Sequence, residues 1–455
     1  MVTLNGDRSQ SRVQGARGPI HSWTSPCLIA IVLLAVSVRM IFGLLWASRV
    51  TLVDSYYGQI ALDVLDHKGL TALAMQDMMV ERMPLYPLFL VTVLYLSGIS
   101  STPVLIAHAL LGGGITLLAF LLGQEIHDLK AGLLSAFIVA LYPYYVGNNI
   151  GLTDEPLLTL NLALLLLLVL KLFRKPSLTL GVMTGLMLGL ALLTRASVLP
   201  FVPLLFLWLC FFLPAEKWKI CLTVFASFIF IVLPWLIINY QLLGRPTLTG
   251  HTGFPLWNGN NPALAKCGYP EVTIDFCEGE AARLITAEEW ARLDTLSYIE
   301  RDDEMARKAF AFIVRQPRDF LANAFLKLKA GYSWNLNPVY HVDMRPTGPW
   351  WKFAGYTWTY LPLCLLAVIG VFASYPQKRP EIILIGFLYL SFSLVFMLFW
   401  AHTAHRSPLD IYMIIFSSYG FLIFHARTAK DSLGEARSDV RVECARDRNP
   451  KLTLS

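Results

Sequence analysis

The chain has 455 residues, 56% of them apolar and only 15% charged, with a formal net charge of +6. Soluble domains run at about 45–50% apolar and about 25% charged residues, so this much apolar surface has no place inside a water-soluble globule. The same numbers exclude a disordered, collagenous, coiled-coil or small disulfide-stapled chain, and seven scattered cysteines make no zinc framework. What they leave is an all-α polytopic membrane protein.

Lipid offers the backbone no hydrogen-bond partner, so each span has to be a helix of roughly 20 mostly apolar residues. The first candidate, Cys27–Ala47, follows a polar start holding Arg8, Arg12 and Arg17; no small-residue cleavage site follows it, which favours an uncleaved first helix over a signal peptide. Further apolar runs lie at Pro103–Ile126, Ala131–Val146, Pro156–Leu172, Leu178–Leu193 and Val198–Leu213. The rest lie at Ile220–Tyr240, Gly355–Ala373, Glu381–Trp400 and Leu409–His425. Together they predict about ten transmembrane helices.

With the N-terminus in the cytoplasm, the inside turns collect Lys130, Lys171, Arg174, Lys175, Lys217, Lys219, Lys378 and Arg379, while the short outside turns hold little beyond Arg195 and Arg406. This is the charge bias that orients spanning helices. It divides the chain into a cytoplasmic N-terminus (1–26), an N-terminal transmembrane region (27–240) with an outer loop at 48–102, an extracytoplasmic subdomain (241–352), C-terminal transmembrane helices (353–426), and a basic, disordered cytoplasmic tail (427–455).

In the first outer loop, Asp54-Ser55 opens an amphipathic helix with Tyr57, Ile60, Ala61, Val64 and Leu65 on one face. A second short stretch starts at Glu81-Arg82-Met83-Pro84-Leu85-Tyr86-Pro87. Both read as helices lying in the outer interface, apolar face down. Asp54 is either an N-cap or a chemical base; Arg82 is either a snorkelling cation or an anion ligand. The next outer turn carries Thr153-Asp154-Glu155-Pro156, acids suited to a positive helix N-terminus that also bring carboxylates to the membrane face of Asp54. His402-x-x-His405 has helical ligand spacing without a third metal ligand in view.

The acid opening the first outer loop, Glu81-Arg82-x-Pro84-x-Tyr86-Pro87, and the acid-Pro pair Glu155-Pro156 resemble the polyprenyl-phosphate-dependent glycosyltransferases of the GT-C fold. The nearest branch is the bacterial relatives of protein O-mannosyltransferases and aminoarabinose transferases. Gly185-x-x-x-Gly189 running to Arg195, Pro234-Trp235, Gly259-Asn260-Asn261-Pro262 and Arg406-Ser407-Pro408-Leu409-Asp410 are similar to later family signatures. Many members carry Asp-Glu where this chain has Asp54-Ser55.

The resemblance implies inverting transfer of a sugar from a polyprenyl-phosphate donor to an acceptor hydroxyl of a glycolipid, glycan or protein. It places the active site on the periplasmic side of a bacterial inner membrane and gives nucleic acid no part. Asp54 is then the base, and Arg82, Arg195 and Arg406 are candidates to stabilise the departing lipid phosphate. Glu155 or Asp154 would position the acceptor or hold a divalent cation if one is used; no cofactor is required. Glu81, Tyr86 and Asn260 would line the acceptor side. The rival readings are a transporter or flippase, which would put its acids near mid-membrane, and a glycan polymerase or ligase.

In the outer subdomain, Thr286-Ala287-Glu288-Glu289 is a capping-box pattern, and Pro317 is expected to split the helix that follows. Phe310, Phe312, Ile313, Phe320, Phe325 and Leu328 would form its apolar side. Cys267 and Cys277 can pair if the compartment is oxidising.

Overall fold

The computed structural model describes residues 26–46, 51–53, 55–68, 82–148, 151–213, 217–269, 274–334 and 350–446; Asp54 and Glu81 lie outside the described residues. Regular structure among the described residues is helical throughout. The N-terminal half runs α1 (Pro26–Trp46), α2 (Tyr56–Asp63), α3 (Leu85–Ser97), α4 (Ser101–Ile126), α5 (Leu129–Leu141), α6 (Pro143–Asn148), α7 (Glu155–Arg174), α8 (Leu178–Thr194), α9 (Phe201–Phe212) and α10 (Lys217–Leu243). A helical subdomain follows as α11 (Gly253–Gly259), α12 (Ile274–Ala282), α13 (Ala287–Leu293), α14 (Tyr298–Arg315) and α15 (Pro317–Gly331). The chain then returns through α16 (Trp350–Ser374), α17 (Arg379–Leu398) and α18 (Thr403–Arg446).

Seven of these helices (α1, α4, α7, α10, α16, α17 and α18) are long and apolar enough to cross a membrane. The other three expected spans correspond to the shorter apolar helices α5, α8 and α9, which fall below that length. At α5 the cause is local: Pro143 cannot donate a backbone N–H, and the helix stops at Leu141 before restarting as α6.

Arg39 closes that break. Fully buried in α1, it donates from Nη1 to the carbonyls of Ala35 (3.0 Å) and Ala140 (2.9 Å) and from Nη2 to that of Val139 (3.0 Å). Two of these carbonyls lie in the last turn of α5, where helix geometry leaves acceptors without intrahelical partners. A cation inside a membrane domain is costly unless its donors are used, and here it serves as a helix C-cap.

The core is organised around α7, which packs against α4, α8 and α18 and buries nearly all of its leucines. Helices in lipid gain little from the hydrophobic effect, so close backbone approach through small residues matters more. The Gly185-x-x-x-Gly189 motif supplies it: a Cβ on Gly185 would sit 2.2 Å from the carbonyl oxygen of Val224 on α10. At the end of α7 opposite the paired acids, Arg174 ion-pairs with Glu125 of α4 and with Glu381 of α17 (3.5 Å). One basic side chain thereby ties three helices together where α4 and α7 end and α17 begins.

Several expectations change in detail. The apolar face of α2 turns onto protein and not onto lipid, Ala61 joining Tyr86, Leu90 and Leu94 of α3 in one buried cluster. The glycine- and asparagine-rich stretch expected as a tight loop contains α11, whose N-terminus is capped from α14: Asp302 accepts the N–H groups of Thr252 (3.0 Å), Gly253 (2.8 Å) and Phe254 (3.0 Å). The capping box at Thr286 and Glu289 forms, as does one at Ser297 and Glu300, and Pro317 separates α14 from α15.

Of the predicted apolar side, Phe312 is buried, but Phe310 and Phe325 face outward. The core instead uses Met305, Ala309 and Leu293 against Leu256 and Trp257. Cys267 and Cys277 form a disulfide. The basic tail expected to be disordered continues α18 as helix to Arg446, which suits its run of Ala, Glu, Lys and Arg, all good helix formers.

The subdomain is locked to the membrane domain by Lys327. This buried amine donates to the carbonyl of Gly259 (2.8 Å), to Oδ1 of Asn260 (3.1 Å) and to the carbonyl of Leu398 at the end of α17 (3.5 Å). With no carboxylate among these partners, burial pulls its pKa down to about 7 from 10.5. Between those two values the unfolded chain binds a proton that the folded one sheds, so stability rises with pH across that window. Thermal unfolding followed from pH 7 to pH 10 is expected to show this rise, and Lys327→Met to flatten it. Gly185→Val is expected to cost about 2–3 kcal/mol by overpacking, read as a lowered unfolding temperature in detergent.

Candidate active site

Four sequence segments converge where α7 begins. The first is the entry to α2. Its N-cap is Ser55, whose Oγ accepts the N–H of Gly58, so the capping role open to Asp54 is filled by its neighbour.

The second segment surrounds Arg82, which is exposed with its guanidinium 4.8 Å from the ring centre of Tyr56 and 5.9 Å from that of Tyr57. Arg side chains are attracted to the faces of such rings. Tyr57 packs edge-on against Tyr86 at 4.8 Å. Tyr86 itself is fully buried and shares a hydrogen bond with His108 Nε2 (3.1 Å); it braces Tyr57 from behind.

Asp154 and Glu155 form the third segment. Asp154 stands at the N-cap position of α7 without making a side-chain cap bond. It is held instead by Arg195, the fourth segment, at the bend that ends α8. Arg195 donates from Nε (2.9 Å) and Nη2 (2.7 Å) to the two oxygens of Asp154, and Nη2 also reaches Glu155 Oε1 (3.0 Å). The planar guanidinium fork matches a carboxylate in this bidentate way. Nearly two turns deeper, Asn161 of α7 donates to Thr194 Oγ1 (2.9 Å), which fixes the end of α8 against α7 immediately before Arg195.

Both carboxylates are almost fully buried, Asp154 2% and Glu155 4% exposed. Burial pushes the Asp154 carboxyl above its ordinary value while Arg195 draws it back. For Arg195, burial alone would lower the pKa, but Asp154 and Glu155 outweigh it and hold the guanidinium firmly protonated. The electrostatic influence of Arg82 extends to Asp154 and Tyr57, so the exposed cation and the buried ion pair belong to one site.

Three buried polar atoms here have no hydrogen-bond partner among the described residues: Arg195 Nη1, Glu155 Oε2 and Thr153 Oγ1. The Thr153 hydroxyl adjoins Glu155 and bears on its carboxylate without meeting full hydrogen-bond geometry. Buried polar groups are nearly always satisfied, and exceptions mark places where water or ligand belongs.

His402 adds a wall. It stacks on His405 at 3.9 Å between ring centres, its Nδ1 accepts the N–H of Ala404 (3.1 Å), and its field reaches Glu155. Burial lowers its pKa to about 4, so the ring is neutral at physiological pH. Among the described residues no group of three or more His, Cys, Asp and Glu stands in a metal-binding arrangement.

Arg406 and Asn260 lie apart from this cluster. Arg406 is 1% exposed and bonded inward: Nε to Asp410 Oδ1 (2.9 Å), Nη1 to the Ser333 carbonyl (3.0 Å) and Nη2 to the Tyr356 hydroxyl. Its guanidinium also covers the Tyr360 ring at 3.8 Å. Tyr142 donates to the other oxygen of Asp410 (2.9 Å). Arg406 therefore knits α5, α16 and α18 together, and its one-turn spacing from Asp410 is the sequence signal for that pairing. Asn260 is buried in the clamp described above, accepting from Lys327 and donating to the Leu256 (2.7 Å) and Leu398 (2.6 Å) carbonyls. Tyr57 and Asn161 were not singled out as site residues from sequence; nothing in a Tyr-Tyr pair or a lone Asn within an apolar span distinguishes them without the fold.

Residues 81–238 match the family model described as dolichyl-phosphate-mannose-protein mannosyltransferase, a stretch that holds Arg82, Asp154, Glu155 and Arg195. No curated protein matches the chain by sequence. Among solved structures, the chain is similar to the oligosaccharyltransferase of Archaeoglobus fulgidus tethered with an acceptor peptide. That match has 12% identity and a TM-score of 0.51 over 89% of this chain and 50% of that one. The apo form of the same enzyme gives 14% identity and a TM-score of 0.50 over 91% and 53%.

ArnT from Cupriavidus metallidurans bound to undecaprenyl phosphate follows at 14% identity and a TM-score of 0.38 over 84% and 77%, too low to bear on the fold. The chain spans about half the length of the archaeal enzyme. The chain shares its fold with the archaeal enzyme, and the resemblance read from the motifs is met by the family model over residues 81–238.

Because Arg195 ion-pairs with two buried carboxylates, Arg195→Gln is expected to lower stability by about 3 kcal/mol, measured by thermal unfolding in detergent. Adding Asp154→Asn to that variant should restore part of the loss, since it removes one of the stranded charges.

Proposed function

We propose that the chain is an integral membrane glycosyltransferase that moves a sugar from a polyprenyl-phosphate donor to an acceptor hydroxyl, with inversion, at the extracytoplasmic face. The observation that carries this reading is the convergence of Arg82, Asp154, Glu155 and Arg195, all within the family-matched stretch, at one end of a GT-C bundle. The acids and cations gather at helix ends and not at mid-span, which favours an interfacial enzyme over a transporter. The archaeal oligosaccharyltransferase, whose fold the chain shares, has been studied tethered with an acceptor peptide, which supports a glycan or protein acceptor. The basic turns gathered with Arg174 at the opposite end support the extracytoplasmic placement.

In this reaction the acceptor oxygen attacks the anomeric carbon, the bond from that carbon to the phosphate oxygen breaks, and polyprenyl phosphate departs with both bonding electrons. Asp54, preceding the Ser55 cap, takes the acceptor proton. Arg82 meets the charge growing on the departing phosphate. Its guanidinium is exposed and lies 4.8 Å from the ring centre of Tyr56; Arg195 is ion-paired with Asp154 and Glu155, and Arg406 with Asp410. Asp154 and Glu155 shape the floor on which the reacting groups rest.

Asp54→Asn is expected to abolish sugar transfer from polyprenyl-phosphate donors in proteoliposomes while leaving the unfolding temperature unchanged; full activity would remove Asp54 from the mechanism. Arg82→Glu is expected to raise the donor KM about tenfold, the equivalent of about 1.4 kcal/mol, and an unchanged KM would leave Arg82 without a part in donor binding.

A further inference from the structure

We infer that Thr153, Glu155 and Arg195 form a subsite that recognises a hydroxyl group of the transferred sugar and not the phosphate of its carrier. This rests on the glycosyltransferase reading above and assigns a ligand group to one part of that site.

The argument begins with the three atoms left without partners. Arg195 Nη1 can only donate, Glu155 Oε2 as a carboxylate oxygen can only accept, and the Thr153 hydroxyl does either. A sugar hydroxyl carries one donor and two acceptor positions, so it can take the Arg195 N–H and give its own proton to Glu155. The carrier's phosphate, a monoanionic diester while it bears the sugar and a monoester once it departs, offers only acceptors when ionised. Placed here it would satisfy Arg195 but face Glu155 Oε2 as one anion against another.

Charge arithmetic points the same way. Asp154 and Glu155 contribute two negative charges and Arg195 one positive, and Arg195 is already bonded to both acids at 3.0 Å or less. The trio is net negative before any ligand arrives. Within the trio a phosphate would add negative charge beside Glu155, whereas a neutral hydroxyl adds none, and Arg82, outside the trio, supplies the cation for the phosphate.

Burial makes the selection sharp. Glu155 is 4% exposed, and a buried charged group left unpaired costs more than the bond itself provides. A sugar lacking the matching hydroxyl would leave these groups unsatisfied, the situation in which sites discriminate most strongly. Asp154, with both oxygens held by Arg195, keeps the guanidinium in the orientation that presents Nη1.

The test uses the full-length protein in nanodiscs and two near-isosteric variants, Thr153→Val and Glu155→Gln. Affinity is measured for undecaprenyl phosphate alone and for undecaprenyl phosphate bearing glucose, mannose or galactose. The expected result is bare-carrier binding within about twofold of wild type, with binding of the preferred glycosylated carrier weakened about tenfold or more in both variants, as loss of a hydrogen bond to a charged partner implies. Thr153→Ser, which keeps the hydroxyl, should bind like wild type.

Equal weakening on bare and glycosylated carriers would make this a phosphate site and overturn the inference. Variants matching wild type on every carrier would overturn it as well, leaving the transferase reading intact. A wild-type protein that binds none of these carriers would instead defeat the parent reading, and the inference with it.

Discussion

The arrangement depends on the fork by which Arg195 grips Asp154 and Glu155. Two adjacent carboxylates buried at a helix start would repel each other and pay heavily for lost hydration; one guanidinium placed within 3.0 Å of both makes them tolerable. The interaction also determines architecture. Asp154 and Glu155 open α7, Arg195 ends α8, and the Asn161–Thr194 bond beside them ensures that the two helices meet at one relative depth. The entry loop carrying Arg82 and the wall carrying His402 are arranged around that fixed point.

Much of this was legible in the chain. Apolar runs interrupted by short basic turns are enough to derive a helical membrane protein, because lipid permits few other solutions. The capping box at Thr286 and the break at Pro317 follow from local chemistry that tertiary contacts do not override. The placement of Asp154 and Glu155 at one helix start was readable because Pro156 marks the first turn.

What could not be read was which charge each cation would meet. Arg82, Arg195 and Arg406 look alike in sequence, each an arginine near an outer turn. The fold separates them by partner: Arg406 finds Asp410 one turn along its own helix and two tyrosines of α16, Arg195 finds acids forty residues away, and Arg82 rests on aromatic faces. Contacts over such separations are products of helix packing, and no periodicity encodes them. Span length was hidden for a related reason: hydropathy counts apolar residues but is blind to the stop that Pro143 imposes and to the carbonyls Arg39 then closes.

A consequence follows from the second ionic knot, where Arg174 joins Glu125 and Glu381 at the far end of α7. With that knot below and the Arg195 fork above, the central rod of the bundle is bolted at both extremities and can neither piston nor rotate without breaking charged bonds in a medium that offers no substitutes. Any motion of the bundle must therefore be taken up by parts that lie against this rod, while the rod itself serves as the fixed gauge for its neighbours.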